Sequence, residues 1–269
     1  MSEKLPRYEG DFLAWTGGGL FIGCGGGQVA PHAHYAIQLV VGAPSGLKVQ
    51  EGSRGAWKAC AGALVPSRAV HSIDVSDCEW NAVLFIEPET PQGRTLAARL
   101  NGQIERLEGE ELAIRVDSLG HAWRECRNSK TVQQAAQALV DWLSGTLPHL
   151  PSDPRVLQAI EHIRGRAGEP ASLEEVADVV HLSPSRFRHL FVEQTGMPLR
   201  TYQLWRRLLL AWEFLMQGAS VASAAHAAGF ADAAHLTRTC RSMFGLAPSA
   251  MRMAGPLSDR LREPPAAQG

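Results

Sequence analysis

Three histidines and one glutamine in the N-terminal half have the types and spacing of a metal site. The segment PHAHYAIQLVVG places His32 and His34 two residues apart, and Gln38 follows four residues later. If this segment is extended, all three side chains lie on one face. Further along, VPSRAVHSI supplies His71 at the start of another apolar run. Imidazole nitrogens are common metal ligands, so these four side chains could hold one divalent ion.

This arrangement resembles the cupin fold, a β-barrel whose first motif reads H-x-H-x3-E and whose second motif contributes another histidine. Gln38 stands where the family has glutamate, and its neutral amide is a weaker ligand. The resemblance therefore implies a barrel but leaves the content of the site open. The four side chains bind a metal, line a cavity that binds an organic effector, or hydrogen-bond with one another.

Short β-rich runs separated by glycine and other turn residues surround the histidines. They read LFIGCGGG, YAIQLVVG, GLKVQ, WKACAGALVP, HSIDV and WNAVLFIEP. Turn residues at such intervals are typical of small antiparallel sheets, and we predict a barrel or sandwich of about seven strands here. YAIQLVV and AVLFIE are continuous enough to form central strands.

A second group of chemically suggestive residues lies in the segment GFADAAHLTRTCRSMFGLAP, residues 229–248. Asp232 can cap a helix that Gly245 ends, and Leu236 and Cys240 repeat on its apolar side. The opposite side is small near the cap and basic further on, which suits a groove of DNA. Taken alone, this pattern would also suit an ordinary surface helix.

The same unit occurs earlier in the chain, which favours the DNA-binding interpretation. SPSRFRHLFVEQTG runs from Ser183 to Gly196, the same length as the unit from Asp232 to Gly245. Short amphipathic segments, SLEEVADVVHL and SVASAAHAAGF, precede the two units and complete two helix–turn–helix motifs. The apolar segment between them, residues 198–216, predicts a helix of about 28 Å. That length suits two recognition helices about 34 Å apart, one turn of the major groove.

These motifs resemble the DNA-binding domain of the AraC/XylS family of bacterial transcription regulators, over residues from about 154 to 253. LSPSRFRHLFVEQTG matches its first recognition helix and AAGFADAAHLTRTCRSMFGLAPSAMR its C-terminal signature. Members of the family often carry a cupin-like effector-sensing domain in the N-terminal half. The resemblance implies that DNA is contacted by Ser185, Arg186, Arg188, His189, Ala233, Ala234, Thr237, Arg238 and Arg241. Arg186 and Arg241 are expected at phosphates and the others at base edges.

We therefore predict an α+β chain of two domains. A cupin-like β-barrel with flanking helices occupies residues 1–147, and its helical segment, 91–147, has an apolar stripe that either the barrel or a second copy must cover. The prolines of LPHLPSDP predict a linker over residues 148–153. Residues 154–255 form an all-α double helix–turn–helix domain, and residues 256–269 form a disordered tail. Homodimerisation through the stripe is the corresponding hypothesis.

Composition narrows the classes of protein that fit. The net charge of −1 indicates no global basic field, although every basic residue after position 151 is arginine, the bidentate choice for guanine and phosphate. Five scattered cysteines without a C-x-x-C pair argue against a disulfide framework or a structural zinc site. The sequence has no apolar run of membrane-spanning length and no signal peptide at its start, so we expect a cytoplasmic protein without a membrane partner.

The leading hypothesis is a sequence-specific DNA-binding transcription regulator, not an enzyme, whose barrel senses a small molecule or a metal. Its partners would be double-stranded promoter DNA, an unidentified small-molecule effector and RNA polymerase. No cofactor is required, although the barrel could hold a divalent metal. One alternative is a metal-dependent cupin enzyme with a helical accessory domain, which rests on His32, His34 and His71. Another is a redox-sensing regulator that uses Cys24 or Cys60.

Overall fold

The computed structural model describes residues 8–44, 46–145, 152–166 and 168–253. The chain forms an N-terminal lobe of strands with three helices and a C-terminal lobe of helices. The predicted tail and most of the predicted linker lie outside the described residues. Among the helices that are described, none combines the length and apolar character needed to cross a bilayer.

The described strands form two sheets that pack as a sandwich. The strands are β1 (Tyr8–Trp15), β2 (Gly18–Gly25), β3 (Gln28–His32), β4 (Ile37–Ala43), β5 (Lys48–Glu51), β6 (Trp57–Ala59), β7 (Gly62–Val65), β8 (His71–Asp74), β9 (Trp80–Ile86), β10 (Glu105–Leu107) and β11 (Met251–Met253). The large sheet has the order β10-β7-β4-β9-β2-β1-β11, and the small sheet has the order β3-β8-β5-β6. Val29 and Ile73 of the small sheet pack against Val40 and Ala63 of the large one.

The predicted barrel is therefore an open sandwich. Within the described ranges no strand pairs across the two sheets. Side-chain packing between their inner faces holds the sheets together, so the backbone ladder does not have to close.

The helices cover the sandwich and build the C-terminal lobe. They are α1 (Pro91–Leu100), α2 (Glu110–His121), α3 (Ser129–Ser144), α4 (Pro154–Gly165), α5 (Leu173–Val179), α6 (Pro184–Thr195), α7 (Leu199–Met216), α8 (Val221–Ala227) and α9 (Ala233–Phe244). A π-helical turn, Ala122–Cys126, extends α2, and a 3-10 turn, Pro248–Ala250, follows α9.

Both faces of the large sheet are buried, which explains the continuous apolar runs in the sequence. Leu39 and Leu84 point to one face and join a core with α1, α2 and α3. Val40 and Val83 point to the other face, towards the small sheet. Successive residues of a strand alternate between faces, so burying both removes the polar half of the usual alternation.

The apolar stripe of α3 belongs to this first core. Val132, Ala136, Leu139 and Leu143 are buried against the large sheet. Of the two coverings that the sequence left open, the chain uses its own β-sandwich. The stripe therefore gives no support to homodimerisation.

The two lobes share strands and core. β11, near the end of the described chain, pairs in parallel with β1, so the region predicted to be all helical also adds an edge strand to the N-terminal sheet. Phe244, the last residue of α9, packs against Phe21, Phe85, Trp205 and Trp212, with ring centroids 5.2 to 6.1 Å away. The lobes are thus joined by a common aromatic cluster.

Ion pairs join the lobes at a second place. Glu87, buried after β9, accepts from Arg164 of α4 at 2.6 Å and from Arg206 of α7 at 3.1 Å. Nearby Glu89 is also buried, and its carboxyl group lies beside that of Glu87. Burial, and then the charge of Glu87, raise the pKa of Glu89 to about 8. Glu89 is therefore protonated in the folded protein at neutral pH.

This protonation predicts how stability changes with pH. The unfolded chain releases the Glu89 proton near pH 4.5, whereas the folded chain holds it to about pH 8. The unfolded state therefore binds fewer protons in this window, and the free energy of unfolding falls as pH rises, at on the order of 1.4 kcal/mol per pH unit. Glu89→Gln, which is neutral in both states, should remove this fall.

Urea unfolding at pH 5 and at pH 8.5 measures this fall in the free energy of unfolding. The variant should gain stability relative to the natural chain by a few kcal/mol between the two pH values. Glu161→Gln, at an exposed position on α4, is the control and should show no such gain. An equal difference between Glu89→Gln and the natural chain at both pH values would contradict the assignment.

Candidate DNA interface and effector cavity

Two helix pairs of equal size form the candidate DNA interface. α5 and α8 each have seven residues, α6 and α9 each have twelve, and α6 begins at Pro184 while α9 begins at Ala233, 49 positions later. α7, with 18 residues, joins the pairs and spans about 27 Å. The duplication seen in the sequence is therefore a duplication of structure.

Local capping sets the ends of α6 and α9. The side chains of Ser183 and Asp232 each accept a hydrogen bond from the backbone N–H three residues later. Gly196 and Gly245 end the helices in the left-handed region, at φ of 74° and 70°. These caps are the ones that the sequence predicted. In each helix the N-terminal cap and the C-terminal glycine are the same distance apart, so the two helices have the same length.

Burial of one side of each helix decides which residues face solvent. Phe187 and Phe191 of α6, and Leu236 and Cys240 of α9, are fully buried. The remaining sides are open, and the predicted DNA-contacting residues that are exposed are Ser185, Arg186, Arg188, His189, Ala234, Arg238 and Arg241.

Two predicted contact residues lie closer to the core. Ala233 and Thr237 are half-buried, and the Thr237 hydroxyl donates to the Ala233 carbonyl at 2.8 Å. The hydroxyl is therefore committed to its own helix. What Thr237 presents to a groove is its methyl group, which suits a thymine methyl.

The helical period adds one residue to the exposed face. At 3.6 residues per turn, His189 and Arg238 point directly away from the buried sides of α6 and α9. Val192 lies beside His189, in the position that Arg241 has on α9, and is 36% exposed. Sequence reasoning missed Val192 because it looked for polar side chains, although the same spacing would have placed it there.

Three arginines line a groove beside α6. Arg188 lines it together with Arg200 and Arg207 of α7. Arg207 donates to the Gly229 carbonyl at 3.0 Å, and burial, followed by the charge of Arg200, lowers its pKa. A groove with this concentration of positive charge next to a recognition helix suits a phosphate of the DNA backbone. Arg200 and Arg207 were missed because their positions on α7 read as part of a connecting helix.

The candidate effector cavity lies between the two sheets and is bordered by the end of α9. Its apolar lining is Tyr8, Phe21, Val29, Ile73, Val75, Val83, Phe85, Phe244 and Leu246. His32, Gln38, Asn81 and the hydroxyl of Tyr8 supply its polar groups. Apolar walls with a few convergent polar groups are typical of small-molecule sites. The wall that α9 contributes puts the second recognition helix in contact with this site.

The structure brings the three predicted histidines together. His32 at the end of β3, His34 in the following loop and His71 at the start of β8 are buried, and their ligand nitrogens lie within 4.8 Å of one another. The ring centroids of His32 and His71 are 4.2 Å apart. Pairing of β3 with β8 sets His32 opposite His71 and creates this proximity.

Backbone carbonyls determine the tautomer of each histidine. The Nδ1 atoms of His32, His34 and His71 lie 2.8, 2.7 and 3.0 Å from the carbonyl oxygens of residues 30, 36 and 69. A carbonyl only accepts, so each Nδ1 carries the proton and each Nε2 keeps a lone pair. All three Nε2 atoms are therefore free of protons in the neutral rings.

Gln38 interacts with one of these lone pairs. Its terminal amide lies 2.7 Å from His34 Nε2. Because that nitrogen is an acceptor, the amide N–H must be the group that faces it, an orientation assigned from the hydrogen-bond network. The other amide atom of Gln38 is buried without a partner among the described groups.

Burial keeps the cluster uncharged. It lowers the pKa of His34 to about 3 and that of His71 to about 2, with the neighbouring histidines adding to both shifts. The pKa of His32 is lowered for the same first reason. At neutral pH the site therefore presents neutral imidazoles.

The end of α9 docks directly on the strand that carries His32. A Cβ atom on Gly245 would lie 2.4 Å from Val29 Cγ1 and 2.8 Å from His32 Nδ1. The backbone N–H of Ala33 donates to the Ser242 carbonyl at 3.4 Å. Glycine is therefore required here both for its positive φ and for the close approach of helix and strand.

The cysteines named in the redox hypothesis lack the character of reactive thiols. Burial raises the pKa of Cys60 to about 11. The pKa of Cys24, which is exposed, is also raised by partial burial and by nearby Glu79 and Glu9. A redox sensor needs a lowered thiol pKa, so both residues argue against this alternative.

Part of the C-terminal lobe matches a known protein family. Residues 176–254 match the model of a family described as a helix-turn-helix domain. The C-terminal lobe carries an AraC-type DNA-binding domain. The matched range contains α6, α7, α8 and α9, and hence both recognition helices.

Two curated relatives match part of the chain. The regulatory protein PocR of Salmonella typhimurium is 29% identical over 109 residues, which are 40% of this chain and 35% of PocR. The uncharacterised HTH-type transcriptional regulator YidL of Escherichia coli is 27% identical over 155 residues, 56% of this chain and 51% of YidL. The chain thus matches about a third to a half of the length of these curated relatives.

The arrangement of both lobes is similar to that of ToxT from Vibrio cholerae. An apo ToxT variant has a TM-score of 0.54 and 9% identity, over 91% of this chain and 94% of that one. ToxT with bound unsaturated fatty acid has a TM-score of 0.51 and 13% identity, over 91% and 92%. At this identity the similarity concerns the fold alone, a β-sandwich lobe joined to a helical lobe.

The close approach at Gly245 predicts a difference between two otherwise equivalent helix ends. Gly245→Ala meets both a strained backbone and the side chain of Val29, whereas Gly196→Ala, at the matching end of α6, meets the strained backbone in open space. We expect about 1–2 kcal/mol of destabilisation for Gly196→Ala from the left-handed φ. Gly245→Ala should lose about 1–3 kcal/mol more through overpacking.

Urea unfolding of both variants checks this prediction. Equal losses of stability would mean that α9 does not dock on β3 as closely as described.

Proposed function

We propose that the whole chain is a transcription regulator that recognises a promoter site through α6 and α9. The observation that carries the proposal is the duplicated helix–turn–helix, with exposed basic residues on both second helices. The names of PocR and YidL as regulatory proteins support it. The proposal assigns the chain no catalytic role and requires no cofactor. Contact with RNA polymerase and homodimerisation stay predictions.

The same proposal makes the N-terminal cavity the site of a small-molecule effector. Its support is the apolar cavity with convergent polar groups, bordered by Phe244 of α9. ToxT, which shares the fold, has been crystallised with an unsaturated fatty acid bound. An effector in this position would act on DNA binding through the end of the second recognition helix.

Substitution of single arginines tests the DNA-binding part. Arg188→Ala and Arg238→Ala should each weaken binding to the cognate site by about 1–3 kcal/mol and relax specificity at one or two base pairs. Arg54→Ala, which removes an exposed positive charge in the β5–β6 turn, is the matched control. Fluorescence anisotropy with DNA upstream of the protein's own gene, over a series of salt concentrations, gives the affinities.

The outcome of this titration is decisive for the proposal. If the natural chain shows no preference for the upstream fragment over random DNA at any salt concentration, the proposal of a sequence-specific regulator is wrong. Equal losses for Arg54→Ala and the two recognition-helix variants would indicate a general charge effect only.

The histidine cluster supports a second ligand for the same lobe, a divalent metal. Three Nε2 lone pairs converge, and hydrogen bonds from Nδ1 to backbone carbonyls hold each ring in the orientation that metal-binding histidines use. Neutral imidazoles suit zinc, nickel, cobalt or copper. Gln38 would have to release His34 or contribute its amide oxygen, so the residues fit a metal without a negatively charged ligand.

Metal binding has a direct test. After chelation, zinc, nickel or cobalt should raise the midpoint of thermal unfolding, because a ligand that binds only the folded state stabilises it. The effect should disappear in His71→Ala and persist in His121→Ala, which lies at the exposed end of α2. If none of these ions shifts the midpoint of the natural chain, the cluster is a group of histidines hydrogen-bonded to backbone carbonyls beside the candidate effector cavity.

A further inference from the structure

The cavity contains polar atoms that are satisfied by no other group of the described chain. The Tyr8 hydroxyl and one amide atom of Gln38 are buried without hydrogen-bond partners, and both residues line the cavity. Tyr8 is 4% exposed and Gln38 is 1% exposed. Leaving such atoms unpaired costs free energy, which a ligand with complementary groups would recover. These two atoms indicate where the polar part of a ligand lies.

The charge of the lining restricts the class of ligand. Among the described residues, no lysine, arginine, aspartate or glutamate lines the cavity. A carboxylate or ammonium group would therefore be buried without an opposite charge, which is strongly unfavourable. An uncharged molecule meets no such penalty.

The size of the cavity makes binding depend on movement. Its volume is about 50 Å³. Engineered cavities that admit benzene are larger, about 150 Å³, so a molecule with one aromatic ring must displace part of the lining. The strand walls are held by backbone ladders, whereas Phe244 and Leu246 lie at the last residue of α9 and just beyond it. The end of α9 belongs to neither sheet, so it can move without breaking hydrogen bonds between strands.

We propose that this cavity binds a small uncharged molecule, apolar over most of its surface and with one hydrogen-bonding group such as a carboxamide, and that binding displaces Phe244 and the end of α9. The regulatory consequence rests on the proposed function, but the binding itself does not. The ligand class differs from that of ToxT, whose bound fatty acid carries a carboxyl group. Displacement of Phe244 would loosen the contact between Gly245 and β3 and change the position of the second recognition helix.

Benzamide and benzoate form a matched pair of probes, because they have the same shape and differ in charge. Isothermal titration calorimetry of the full chain at pH 7.5, without DNA, should detect benzamide binding. Benzoate should bind roughly tenfold more weakly or not at all, since its charge would be buried unpaired. Benzoate binding as tight as that of benzamide would overturn the proposal, as would failure of benzamide to bind up to its solubility limit.

Two substitutions locate the binding site. Val83→Phe fills the cavity and should abolish benzamide binding, whereas Val70→Phe, at an exposed position, should leave it unchanged. Phe244→Ala enlarges the cavity and should tighten benzamide binding several-fold while still excluding benzoate. If Val83→Phe does not fold, Val83→Ala decides, because it enlarges the cavity and keeps the contacts of Phe244: unchanged benzamide affinity in this variant would show that the cavity is not the site.

DNA affinity measured with and without benzamide separates this inference from the proposed function. Benzamide should change the affinity of the natural chain for its cognate site several-fold, and Phe244→Ala should lose this response. A chain that binds benzamide but never prefers specific DNA would refute the proposed function and leave the cavity assignment intact. A chain that binds specific DNA with the same affinity at saturating benzamide would refute the proposed displacement of α9.

Discussion

The burial of Phe244 between the two lobes is the interaction on which the rest of this structure depends. Its ring packs on Phe21 and Phe85 of the large sheet and on Trp205 and Trp212 of α7. Aromatic contacts of this kind combine a large buried area with a preferred ring geometry. One side chain therefore borders the candidate effector cavity, forms the last residue of α9 and packs the connecting helix against the sandwich.

The two halves of the AraC-type domain are held to the sandwich by different forces. The second helix–turn–helix is attached by apolar packing and by the pairing of β11 with β1. The first is attached through polar contacts and through Tyr35, which packs against its core: Glu87 pairs with Arg164, and Arg94 of α1 donates to Gln194 of α6 at 2.9 Å. Polar contacts of this kind weaken with salt, whereas apolar packing does not depend on charge.

The cavity and the histidine cluster are connected through His32 and Gln38. Each imidazole is oriented by a backbone carbonyl, and His34 is linked to Gln38. Gln38 in turn has one unpaired amide atom and lines the cavity beside His32. A metal at the histidines would compete for the His34 lone pair and would change what Gln38 offers to a ligand. Metal and small molecule would therefore influence each other's binding.

Local sequence determined the helices of the AraC-type domain, their caps and their duplication, because Ser183, Asp232, Gly196 and Gly245 act within a few residues of themselves. The spacing of His32 and His34 suggested a shared site, but the segment is not one extended strand: His34 lies in the loop after β3, and the pairing of β3 with β8 brings His71 to His32. Tertiary structure alone decided that α3 covers the sheet, that the barrel stays open, and that Glu87 meets arginines 77 and 119 positions away. It also decided the role of Phe244, which reads in the sequence as one more apolar residue of a helix. Contacts between residues so distant in the chain depend on how the elements pack, and no local pattern encodes that.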